Sequence, residues 1–111
     1  LKGGKVRALG VGNPTRSSML PDVPTIAESG LPGYEAYSWS GVMAPKGTPP
    51  DIVKRMNADM VKVLSDPATA KGMIAAGAEP KPGTPEQFGE FVRDEIVKWR
   101  DLIKTANIKL E

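Results

Sequence analysis

The sequence predicts an α/β fold, on three observations. A short alternating segment, Val6 to Val11, follows a basic, glycine-paired start that reads as the end of a helix. A longer segment, Tyr34 to Ala44, is rich in aromatic and small residues, has no proline and favours extended backbone. After residue 48, apolar residues recur at helical spacing behind strongly marked helix starts.

A chain of 111 residues with 40% hydrophobic side chains can build one modest core. Its 12 glycines and 11 prolines are many for a compact domain, yet the residues between them keep their periodicity, so they read as punctuation and not as disorder. Fifteen basic against 13 acidic side chains leave a net charge of +2, too little for a polyanion-binding surface, and nucleic acid is not an expected partner. The absence of cysteine excludes disulfides, thiol catalysis and thiolate metal sites. The absence of histidine removes the commonest general base and metal ligand. No apolar run approaches the roughly 20 residues of a membrane span, and the first residues form no apolar signal core.

Leu1-Lys2-Gly3-Gly4-Lys5 reads as the last turn of a helix begun upstream, so the chain is expected to be a piece of something larger. Val6, Ala8 and Gly10 then alternate with Arg7, Leu9 and Val11, as in a partly buried strand. Gly12-Asn13-Pro14 ends it, and a polar loop from Thr15 to Ser18 leads to Met19-Leu20-Pro21. Thr25 and Glu28 have capping-box spacing and Gly30 supplies a stop, which predicts a helix of little more than one turn. Leu31-Pro32-Gly33 is a turn. In the extended segment after it, Tyr37, Trp39 and Met43 fall on one side of the pleat, with Ala36, Ser38, Ser40 and Val42 on the other.

Thr48-Pro49-Pro50-Asp51 opens a helix with a capping hydroxyl, prolines where no N–H is needed and an early acid. Ile52, Val53, Met56, Met60, Val63 and Leu64 form its apolar stripe, expected to be core. Asp66-Pro67 starts a second helix that runs through Met73 and Ile74 to Gly77, and Ala78 to Pro82 is a short edge strand or an extended connector. Thr84-Pro85-Glu86-Gln87 is a capping box, opening a helix from about Pro85 to about Ala106 with Asn107 as its stop. Phe88, Phe91, Val92, Ile96, Trp99, Leu102, Ile103 and Ala106 trace its core face, while Asp94, Glu95 and Asp101 are assigned to the solvated side.

Gly10-Val11-Gly12 after a strand opens like a dinucleotide fingerprint, but Thr15 stands where the third glycine belongs and Pro14 opposes helix entry. An ordinary turn is the better reading. Ser17 and Ser18 have no histidine partner and no lysine at Ser-x-x-Lys spacing, so they are loop residues. No pair of acids is spaced for acid/base work and no loop alternates oxygen ligands, so no catalytic residue, metal or cofactor is assigned. Tyr37-Ser38-Trp39-Ser40-Gly41 reads either as core strand or as a ligand wall, where stacking and short hydrogen bonds meet.

Several pieces together carry a family resemblance: Lys5 to Val11, Leu20-Pro21-Asp22-Val23-Pro24-Thr25 with Glu28, Gly30-Leu31-Pro32-Gly33-Tyr34, Trp39, and Ala44-Pro45-Lys46-Gly47-Thr48-Pro49. Over nearly the whole chain the sequence resembles the C-terminal part of the periplasmic solute-binding proteins of tripartite tricarboxylate transporters, the Bug family. The resemblance implies a C-terminal fragment of a two-lobed periplasmic-binding-protein fold, type II-like. Residues 1–33 would be the tail of the second lobe, 34–44 the strand crossing the hinge, and 45–111 the helical part of the first lobe.

It further implies a non-enzymatic protein, exported to the periplasm with its signal peptide outside this chain. Such a protein captures a small organic acid by lobe closure and delivers it to a membrane permease. Tyr37, Ser38, Trp39 and Ser40 are then the cleft candidates, with Asn13 beside them, and Gly33 and Gly41 are candidate hinge positions flanking the aromatic segment. The chain alone is expected to bind solute poorly and, with strand edges and apolar surface exposed, to self-associate, by exchange of strands or of the long helix. The alternative is an interaction module that signals solute status to a partner protein.

Overall fold

Three helices form among the described residues, 3–109, of the computed structural model: α1 (Pro50–Leu64), α2 (Pro67–Ala75) and α3 (Pro85–Thr105). The helix end expected at Leu1 and Lys2 lies outside the described residues. Each helix begins on a proline, whose missing N–H costs nothing in a first turn. The α3 capping box is fully made: the Gln87 N–H donates to Thr84 Oγ1 at 3.2 Å and the Thr84 N–H to Gln87 Oε1 at 2.9 Å. For α2, Asp66 accepts the Thr69 N–H at 2.8 Å, and this bond holds its carboxyl below the ordinary range.

The α1 start corrects the expectation. Pro49 is the N-cap and has no side chain to offer, while the Thr48 hydroxyl donates backward to the Pro45 carbonyl at 2.8 Å. The helix starts one residue later than a Thr48 cap requires, so Thr48 closes the preceding turn instead. Downstream ends follow the predicted stops. Gly77 (φ 87°) and Asn107 (φ 51°) take left-handed backbone, letting Ala78 and Ile108 donate back to Met73 and Ile103 at 3.0 and 3.1 Å.

The chain divides into two compact units. One comprises the described residues of Leu1–Met43 with Lys71–Glu79, and the other those of Ala44–Ala70 with Pro80–Glu111. In the second unit α1 contacts α3, and the Asn57 side-chain amide donates to the Gly83 carbonyl at 2.9 Å, just before the α3 cap. The Phe88 and Phe91 rings stack with centroids 6.4 Å apart. The core expected beneath these helices is not closed: no hydrophobic residue among those described is fully buried. Ile52, Met56 and Val63 on α1 and Ile96, Trp99 and Leu102 on α3 are exposed. An amphipathic stripe becomes core only when a second layer covers it.

The first unit has less regular structure than its sequence suggests. Of the strand expected over Val6–Val11, only Val11 pairs, in one parallel bridge to Thr25. Its N–H donates to the Pro24 carbonyl at 3.0 Å and its carbonyl accepts the Ile26 N–H at 2.9 Å. Residues 34–44, expected as a strand, join no ladder among the described residues; the Tyr34 N–H closes the preceding turn on the Leu31 carbonyl and the Ala36 N–H donates to the Gly12 carbonyl, each at 3.0 Å. A strand needs a neighbour to complete it, and the bond to Gly12 does not make a ladder. Residues 78–84 form a connector without ladder pairing, and the short helix after Thr25 is a single turn closed by Ser29 and ended at Gly30 (φ 115°).

Candidate functional site

The Val11–Thr25 bridge anchors the region that holds the sequence candidates. Thr25 is only 2% exposed, and it exchanges capping bonds with Glu28: the Thr25 N–H donates to Glu28 Oε2 at 2.7 Å, and Thr25 Oγ1 accepts the Glu28 N–H at 3.0 Å. Arg16 Nε also donates to the Glu28 carboxylate, at 3.0 and 3.3 Å. The Thr25 amide first, and Arg16 after it, hold the Glu28 carboxyl below its ordinary value. Further along the loop, Glu79 Oε1 accepts the Ser18 N–H at 2.9 Å, the Ser18 hydroxyl at 2.9 Å and the Ser17 hydroxyl at 3.3 Å. These bonds, led by the Ser18 amide, lower the Glu79 pKa as well.

The Gly10-Val11-Gly12 motif owes its glycines to close approach. A Cβ on Gly10 would lie 3.2 Å from Ile26 Cγ1, and one on Gly12 would lie 2.1 Å from the Ala36 carbonyl oxygen. The ordinary-turn reading therefore stands with a reason attached: neighbouring chain fills the space a side chain would need. The Gly12–Ala36 bond also joins two stretches that the sequence treats separately. Asn13 and Tyr37 each directly follow one of its partners, so the bond brings the start of the loop beside the start of the Tyr37–Ser40 segment.

At this junction Asn13 and Tyr37 are half-buried, and Ser38, Trp39 and Ser40 are exposed. Gly33 has φ 79° in the preceding turn, while Gly41 lies in exposed chain without regular structure. The set combines a side-chain amide, hydroxyls and two aromatic rings, which suits hydrogen bonding and stacking on a small polar solute.

Sequence reasoning missed three residues. Gly12 sets the junction, and Glu79 meets the Ser17-Ser18 loop from 61 positions away. Glu95 is the correction on α3: assigned to the solvated side, it is only 7% exposed. It accepts the Trp99 indole N–H at 2.9 Å and ion-pairs with Lys98, whose ammonium lies 5.5 Å from the Trp99 ring centroid. Its spacing carried the signal, since Glu95 falls seven residues after Phe88 and four from both Phe91 and Trp99, in the middle of the apolar stripe. Among the described residues no group of acids could hold a metal ion, and no helix is long and apolar enough to cross a membrane.

A family profile described as the tripartite tricarboxylate transporter family receptor matches residues 1–108. The chain belongs to this receptor family. The resemblance read from the motifs is thereby borne out. Within the family, the chain is 43% identical over 100 residues to a UPF0065 protein from the tcbD-tcbE intergenic region of a Pseudomonas species, covering 89% of this chain and 30% of that protein. It is 38% identical over 111 residues to Protein BugT of Bordetella pertussis, covering 100% and 34%.

Among solved structures, R. palustris Rpa4515 with adipate is 39% identical with a TM-score of 0.77, covering 96% of this chain and 36% of that one. The periplasmic binding protein BugD is 34% identical, also at 0.77, covering 100% and 38%. The chain thus spans about a third of the length of these receptors and shares that part of the periplasmic-binding-protein fold.

Proposed function

We propose that this chain is the C-terminal part of a periplasmic receptor that captures a small organic acid by closure of two lobes and hands it to a membrane permease. The observation that supports the reading is the Gly12–Ala36 backbone bond, whose partners directly precede Asn13 and Tyr37, in a chain that belongs to the receptor family. The neighbour Rpa4515, 39% identical, was solved with adipate, which makes a dicarboxylate the first solute class to try. Residues 1–33 then belong to the second lobe, 34–44 to the hinge crossing and 45–111 to the first lobe; the change of unit after Met43 agrees with the last of these boundaries, while Lys71–Glu79 group with the residues before Ala44. Gly33 and Gly41 absorb the closing rotation, and recognition proceeds by backbone amides and side-chain dipoles without chemistry on the solute.

Calorimetric titration of adipate and related dicarboxylates into the full-length receptor tests the reading. Saturable binding that weakens on Trp39→Ala and Asn13→Ala is the expected result, and wild-type protein that takes up no member of the series overturns it. Taken alone, the chain binds the same solutes poorly and self-associates through the apolar faces of α1 and α3, which light scattering across a concentration series would detect.

A further inference from the structure

We propose that Glu79 is a positioning residue for the solute junction: from the segment that follows α2, it holds the 12–20 loop in the conformation that presents Asn13. The inference rests on the solute-binding reading above. Among the described residues, the loop has little backbone bonding beyond its first residues. Gly12 is bonded to Ala36, but after it the backbone bonds are local turns, Leu20 to Ser17 and Val23 to Leu20, each 3.0 Å. Among the described residues, two carboxylates tie the loop to chain further off.

These two ties differ in kind. Glu28 reaches the loop through the flexible Arg16 guanidinium and already spends one oxygen on the Thr25 amide. Glu79 takes the Ser18 backbone N–H directly at 2.9 Å and adds both serine hydroxyls on the same oxygen. The Ser17 hydroxyl oxygen in turn accepts the Met19 N–H at 3.3 Å, so the carboxylate orders the backbone on both sides of Ser18. A charge-assisted bond to a backbone amide fixes main-chain position, whereas a bond to a long side chain mostly fixes that side chain. The serines, which have neither a histidine partner nor a lysine at Ser-x-x-Lys spacing, thus serve to fasten the loop. Gly77, with φ 87°, ends α2 in the turn that precedes Glu79.

The test uses the full-length receptor with Glu79→Ala, Glu79→Gln, Glu79→Met and Ser18→Ala, read by amide hydrogen exchange over residues 12–20, by thermal unfolding and by adipate titration. In Glu79→Ala the loop amides exchange faster while those of α3 keep their wild-type rates, and adipate binds about tenfold more weakly. Glu79→Gln keeps an acceptor oxygen for all three donors and restores affinity to within about threefold of wild type, a rescue that an effect of charge alone would not show. Glu79→Met, of similar bulk but without the acceptor, stays as weak as Glu79→Ala. Ser18→Ala reproduces part of the loss, and combining it with Glu79→Ala adds little.

Wild-type affinity in Glu79→Ala, or unchanged exchange in the loop, overturns the proposal. So does a loss of affinity that only tracks a global fall in stability. A Glu79→Ala protein that fails to fold leaves Ser18→Ala to decide by the same readouts. Failure of the wild-type receptor to bind any dicarboxylate overturns the solute reading and this role with it, and unchanged loop exchange alone overturns only the role of Glu79.

Discussion

The two units of the chain reach order by different means. In the unit built on α1 and α3, the elements are closed chiefly by their own backbone bonds and by caps within four residues, as at Thr84 and Gln87, with Asn57 reaching across to the Gly83 carbonyl. In the unit formed by the residues before Ala44 with Lys71–Glu79, the one bridge among the described residues, at Val11, is supplemented by side chains reaching across the sequence: Glu28 to Arg16, and Glu79 to Ser17 and Ser18. All the solute candidates, Asn13 and Tyr37 to Ser40, lie in the second kind of region. Recognition by loops is common because irregular backbone can aim amides and hydroxyls that a helix has already consumed. The comparison implies that small changes in backbone approach should matter most near the junction, while the helical unit should respond mainly through caps and one buried carboxylate.

The sharpest contrast is between two glycines. Alanine at Gly12 would place a Cβ 2.1 Å from the Ala36 carbonyl oxygen, where backbone has to move, so Gly12→Ala should cost about 3 kcal/mol and loosen the junction. Alanine at Gly89 in α3 meets only the Arg93 guanidinium at 3.5 Å, and Gly89→Ala should stabilise by about 0.5–1 kcal/mol through helix propensity. Urea unfolding of both variants reads the difference. Equal effects of the same sign would erase the distinction between the units.

Next in size is Glu95→Ala, expected to cost about 2 kcal/mol, because the Trp99 indole N–H loses its acceptor and Lys98 its partner at a site that is only 7% exposed. Trp99 fluorescence should shift in the same variant. A Glu95→Ala protein with wild-type unfolding would show that this carboxylate is solvated after all.

The helical unit was the more legible of the two, for a physical reason. Capping and periodicity are local, so Thr84-Pro85-Glu86-Gln87 and Asp66-Pro67 announce their helices within a few residues, and Gly77 and Asn107 announce the ends. Thr48 misled because two prolines follow it and the cap fell on the first of them. Glu95 was misplaced by residue type, although its spacing from Phe88, Phe91 and Trp99 put it on the stripe. What local reading cannot supply is the partner of an extended segment. Nothing within residues 34–44 says that Ala36 will lie against Gly12, and nothing in Ser17-Ser18 points 61 residues ahead to Glu79. The candidates themselves are readable as residue types; the backbone bond between their neighbours Gly12 and Ala36 is not.

A smaller effect tests the caps. Thr84→Ala removes the hydroxyl that accepts the Gln87 N–H and should cost about 1 kcal/mol, with faster amide exchange in the first turn of α3 and no change around Thr25. Spread of that change into residues 12–30 would mean that the two units are not energetically separate.

The smallest expected effect is on acid stability, and it separates the units by residue. Glu28 and Glu79 in one unit, and Asp66 and Glu86 in the other, all have folded pKa values below their ordinary ones, 4.5 for the glutamates and 3.8 for the aspartate. As pH falls through these ordinary values the unfolded chain takes up protons first, so folding loses support progressively until the folded carboxyls are protonated too. The stabilisation is therefore present above about pH 4.5 and lost below it, and exposure keeps each contribution small. Glu28→Gln with Glu79→Gln should flatten the pH dependence of amide exchange in residues 12–30 while leaving that of α3 unchanged. A uniform flattening along the chain would instead mean that the carboxylates act through net charge and not as clips on particular amides.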